Sequence, residues 1–109
     1  MLVKMETGSS SLGGGIYGYI PSVTNSNNQV TLGFKPKSLI VFFLYSDTPF
    51  VSCYDYESNG DNVIRYGNSR FTSYSLPNST YVGIASIDSN GFTIFNNNST
   101  VTEVYYIAI

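Results

Sequence analysis

Tyr81-Val82-Gly83-Ile84-Ala85-Ser86-Ile87-Asp88-Ser89-Asn90-Gly91-Phe92-Thr93-Ile94-Phe95 is the stretch that decides the fold. Two strand-length runs of β-branched and aromatic residues flank Ser89-Asn90-Gly91, the pattern of a β-hairpin. Asn90-Gly91 is expected to supply the two positive-φ positions of a tight turn. A helical reading fails: no window repeats apolar residues at three-four spacing among good helix formers, and Ala occurs only at Ala85 and Ala108.

Working outward, Asn96-Asn97-Asn98 turns the chain into a closing strand, Thr102 to Ile109, which stays apolar to its last residue and is expected to pair inside a sheet. Upstream, Phe71 to Leu76 reads as a strand before Pro77-Asn78, and Val63 to Tyr66 as one entered through Asn59-Gly60-Asp61-Asn62. Phe50 to Tyr56 follows Asp47-Thr48-Pro49. Ser38 to Tyr45 is the most apolar run and predicts the central, buried strand. Gln29 to Phe34 predicts a strand ended by Lys35-Pro36-Lys37, and Ile16 to Ile20 one closed by Pro21, with Ser22 to Asn28 a polar loop between them. About eight short strands with turns every eight to twelve residues predict an all-β fold: an antiparallel β-sandwich, jelly-roll-like. Residues 16–109 form its single domain; residues 1–15, ending in the Ser/Gly stretch Ser9 to Gly15, read as a flexible lead or attachment segment offering Leu2, Val3 and Met5.

Composition narrows the function. The 109 residues include 12 charged ones, 11% against about a quarter in an ordinary soluble domain, and the net charge is −2. Ser, Thr, Asn and ten tyrosines must supply the polar surface, which suits a protein held in an oligomer, built into a particle or displayed outside a cell. The five basic residues form no cluster, so nucleic acid is not an expected partner. No apolar run is long enough to span a bilayer as a helix, and the N-terminus lacks a signal-peptide pattern, so neither membrane insertion nor export is expected. The lone Cys53, in Phe50-Val51-Ser52-Cys53-Tyr54, is expected to be a small buried hydrophobe.

Catalytic equipment is missing. With no His, the chain lacks the usual general base, the usual orienter of a Ser or Cys nucleophile and the commonest zinc ligand. Gly13-Gly14-Gly15 leads into a strand and carries no phosphate-loop pattern. Asp55-Tyr56-Glu57-Ser58-Asn59-Gly60-Asp61 has oxygen ligands at alternate positions, but Tyr66 stands where a calcium loop needs a bidentate Glu. It reads as a solvated hairpin loop. The expectation is a non-enzymatic protein without cofactor or metal. Tyr17, Tyr19, Tyr54, Tyr56, Tyr66 and Tyr74 read as outward-alternating, and Tyr54, Tyr56, Asn59, Tyr66 and Tyr74 are candidate contacts for a ligand or partner, by ring stacking and neutral hydrogen bonds. Asn78-Ser79-Thr80 and Asn97-Asn98-Ser99 match the glycosylation sequon and read as chance matches in Asn-rich turns.

Three segments carry a resemblance. Val30-Thr31-Leu32-Gly33-Phe34-Lys35-Pro36-Lys37-Ser38-Leu39-Ile40-Val41 resembles a Leu-Gly-Phe-x-Pro turn feeding an apolar strand in bacteriophage tail-fibre tips and minor structural proteins. Asn90-Gly91-Phe92-Thr93-Ile94 is similar to their late Gly-Phe-Thr strand, and Tyr105-Tyr106-Ile107-Ala108-Ile109 to their closing strand. The resemblance implies a virion surface protein, made in the host cytoplasm, usually a homotrimer in contact with other virion proteins. A chain beginning at Met1 with a short lead is expected to be a capsid decoration or small tail accessory protein. The alternative it implies is a receptor-binding fibre tip that recognises a host-surface glycan.

Overall fold

The computed structural model describes the backbone of residues 9–12, 15–20, 23, 26–45, 48–97 and 101–109. The expected attachment residues Leu2, Val3 and Met5 lie outside the described residues. Within them the chain forms β1 (Ser9–Leu12), β2 (Gly15–Ile20), β3 (Ser26–Thr31), β4 (Ser38–Tyr45), β5 (Thr48–Asp55), the helical turn α1 (Tyr56–Asn59), β6 (Asn62–Gly67), β7 (Arg70–Ser75), β8 (Gly83–Asp88), β9 (Gly91–Asn96) and β10 (Val101–Ala108). A seven-stranded sheet runs in the order β1-β2-β10-β4-β5-β6-β7, and a three-stranded one in the order β3-β9-β8. All pairings are antiparallel. The chain is an all-β sandwich, unequal in its layers.

One side of each strand from β2 to β7 across the large sheet turns toward the small sheet. Leu39, Val41 and Phe43 of β4, Val104, Tyr106 and Ala108 of β10, and Ile84, Phe92 and Ile94 of the small sheet are all but sealed from solvent. Phe92 meets Tyr106 edge-on at 5.2 Å, so the two layers touch through aromatic rings. A polar seam sits beside this core. Tyr74 gives its one hydroxyl proton to Ile84 O at 2.8 Å. The 3.2 Å contact between Ser52 Oγ and Tyr74 Oη is therefore made by the serine proton. Ser52 Oγ accepts the Ile84 N–H in turn, at 3.1 Å. The three groups close a ring in which every proton is used, which is how hydroxyls are buried without penalty. Arg65 adds a second tie between the layers: its Nε donates to Val82 O at 2.8 Å, and its guanidinium lies 4.4 Å from the Phe50 ring centre.

Three local expectations are corrected. Ser9–Leu12 pairs with β2 instead of forming a loop, because an edge strand is held by backbone groups and does not need apolar side chains. Ser26–Asn28, read as loop, belongs to β3, which ends at Thr31 and not at Phe34. The cause is visible at Leu32 and Gly33, whose N–H groups both donate to Asn90 O, at 2.6 and 3.0 Å, while Gly33 takes a φ of +86°. The β8–β9 turn is not built on two positive φ angles either. Neither Ser89 nor Asn90 has one; Asp88 Oδ1 instead accepts the Asn90 N–H at 2.8 Å. Gly91 is needed for space, since a Cβ there would sit 2.0 Å from Val30 O. The turn with two positive φ angles is Asn68-Ser69, at +53° and +62°, joining β6 to β7.

Candidate functional site

Each strand of the large sheet that sends one side chain inward sends the next one outward. Register fixes which of these meet. Tyr17, Ile107, Ile40, Cys53, Ile64 and Ser73 form one cross-strand row from β2 to β7. Tyr19, Tyr105, Phe42, Val51, Tyr66 and Phe71 form the row beside it. Ten of these twelve side chains are aliphatic or aromatic, and none is charged. Phe71 is 74% exposed, Ile64 44% and Tyr66 41%. Rings pair along the row, Tyr19 with Tyr105 at 4.9 Å and Tyr66 with Phe71 at 4.8 Å. At the edge Tyr19 Oη donates to Glu103 Oε2 at 2.9 Å, and that bond to a carboxylate holds the phenol above its ordinary pKa.

The small sheet shows the ordinary alternative. Its outward row is Gln29, Thr93 and Ser86, with Asn27 beside Phe95. One outer face of the sandwich is thus built for water, and the other is not. This contrast bears on β4. An unbroken apolar run such as Leu39-Ile40-Val41-Phe42-Phe43-Leu44 belongs to a strand covered on both faces. The small sheet covers Leu39, Val41 and Phe43; among the described residues nothing covers Ile40 and Phe42, which are 37% and 36% exposed.

The tyrosine candidates do not converge. Tyr54 and Tyr74 point inward, 2% and 8% exposed; the outward alternation assigned to them is one residue out of phase. Burial pushes the Tyr74 phenol up to about 12. Tyr56 and Asn59 are exposed on α1, and Tyr66 alone of the five stands on the outer face of the large sheet. Cys53, expected inside, is exposed in the middle of that face, with partial burial raising its thiol pKa. In the acidic loop, Asp55 accepts from the Ser38 hydroxyl at 2.6 Å and from the Ser58 hydroxyl, bonds that hold its carboxyl below the usual carboxylate range. Those serines use the carboxylate to fasten α1 to β4, and no group of three His, Cys, Asp or Glu side chains gathers among the described residues.

Asn78 is a structural residue. Its side-chain amide donates to Tyr81 O and Ile84 O, at 2.9 and 3.2 Å, and its Oδ1 accepts from the N–H groups of Thr80 and Tyr81. An attached glycan would break that set. Two shallow clefts of about 300 and 270 Å³ flank this loop, sharing Pro77 and Ser86. They lie at the lower end of the size range of ligand sites, and Asn78, which lines the first, spends its side-chain bonds within the loop and on Ile84.

Sequence reading missed Ile40, Phe42, Ile64 and Phe71 as a surface. The signal was present in the doubly apolar run of β4 and in the alternation Ile64-x-Tyr66, but only the strand order brings them into one field. Comparison with family models, with curated proteins and with solved structures returns no match.

Proposed function

We propose that the chain is a non-enzymatic assembly domain, a bacteriophage structural protein displayed on the particle surface as a capsid decoration or small tail accessory protein. The observation that carries the assembly reading is the outer face of the large sheet: a field of Tyr, Ile and Phe without charge, on a domain whose other outer face is polar. Exposed apolar fields of this extent mark surfaces that are covered in use.

The phage part of the reading rests on the three resembling segments, and their placement supports treating them as one unit. Leu32 and Gly33 bond to Asn90 O, and Lys37 and Ser38 bond to Ile109 O at 2.7 and 3.1 Å. The β8–β9 turn and the end of β10 are thus each bonded to the crossover between the sheets. A receptor-binding tip is less well supported, because the tyrosines expected to stack on a glycan are split between core, α1 and outer face.

The test is composition. Particles from cells producing an epitope-tagged chain are purified by density, and the tag is located on them by electron microscopy. Stoichiometric tag on head or tail is expected. Particles free of it would refute the virion assignment.

A further inference from the structure

Resting on the assembly reading, we infer that the outer face of the large sheet is the contact surface for a second copy of this chain, packed face to face about a two-fold axis. Three observations select that occupant.

The first is area. Ile40, Phe42, Ile64, Tyr66 and Phe71 leave roughly 450 Å² exposed, taking about 200 Å² for a large side chain. The half-buried members of the two rows bring the field to roughly 700 Å², close to the ~800 Å² that each partner contributes to a standard stable interface.

The second is charge. A two-fold interface sets each patch against itself, so any net charge on it repels its own copy. The two cross-strand rows carry none, and Glu103 at their margin is engaged by Tyr19. A surface shaped for an acidic or basic partner would show the complementary sign.

The third is geometry. Two β-sheets stack with side chains interleaved and layers about 10 Å apart, which needs an open face free of covering loops. The rows run across six adjacent strands, from β2 to β7, and Cys53 stands fourth of six in the first. The second copy supplies the missing cover over Ile40 and Phe42, completing a core of four layers.

Cys53 is a native reporter of this contact, as the single thiol of the chain. The full-length protein is followed over a wide dilution series by sedimentation and by the rate of maleimide labelling. The inference requires a two-chain mass at high concentration, with labelling at least about tenfold slower than in the dilute limit and both transitions at the same concentration. The variant Ile64→Glu/Phe71→Glu is expected to be monomeric and label fast at every concentration, with an unchanged circular-dichroism spectrum. The control Thr93→Glu, on the polar outer face, keeps the dimer and verifies that added charge alone is not responsible. A monomer throughout, a three-chain mass, or a dimer whose Cys53 labels freely overturns the inference. So does a folded double variant that still dimerises. A monomeric chain that is nevertheless found on purified particles separates this failure from that of the assembly reading.

Discussion

Ser52, Tyr74 and Ile84 show how much of this fold rests on a few polar atoms. Each donor in their ring has one acceptor, so removing one member leaves a buried group without a partner. Ser52→Ala strands the Ile84 N–H and is expected to cost about 1–3 kcal/mol in urea unfolding, more than the removal of an exposed hydroxyl. The same ring sets an alkaline limit. The Tyr74 pKa is raised from 10.0 to about 12 by burial, so the folded state binds that proton more tightly than the unfolded chain does. Its contribution to stability is complete below the unfolded value and is lost as pH rises from about 10 to about 12, a loss on the order of 2 kcal/mol. Tyr74→Phe starts less stable but shows a shallower fall in melting temperature over that interval. Sequence could not place this ring. Ser52 and Tyr74 lie 22 positions apart, and only the β5–β6–β7 register brings them together.

At the scale of elements, sequence reading succeeds where the signal is local. β4 was bounded at Ser38 and Tyr45 from its apolar run alone, and the structure has the same limits. It fails where a distant backbone group intervenes, as when Asn90 O ends β3 three residues early. β1 carried no apolar pattern to read. The β6–β7 turn was passed over because Asn68-Ser69 is not a Gly-containing pair, yet both residues take positive φ. Ser69 at +62° pays the steric cost that glycine avoids. Ser69→Gly is therefore expected to raise stability by roughly 0.5–1 kcal/mol, the relief of strain exceeding the added chain entropy. A lower melting temperature for that variant would refute the turn assignment. The outer face follows the same rule: alternation within each strand was legible, but the phase of β5 and β7 was not, and so Tyr54 and Tyr74 were placed outside.

For the molecule as a whole, the decisive feature is that β10 lies between β2 and β4 and binds both. Its last residues also close the crossover, with Ile109 exchanging backbone bonds with Ser38. Deleting Tyr106 to Ile109 removes two core side chains, Tyr106 and Ala108, and opens ladder bonds on two neighbours at once. The truncated chain is expected to lose its β-sheet circular-dichroism signal and its cooperative melt; retention of both would contradict the central position of β10.

That strand order also has a meaning in time. β10 is the final strand of the described chain to be synthesised, yet it fills the middle of the sheet, so until it emerges from the ribosome β2 and β4 each present an unpaired edge. Closure of the large sheet consequently waits for residues 101–108 to become available.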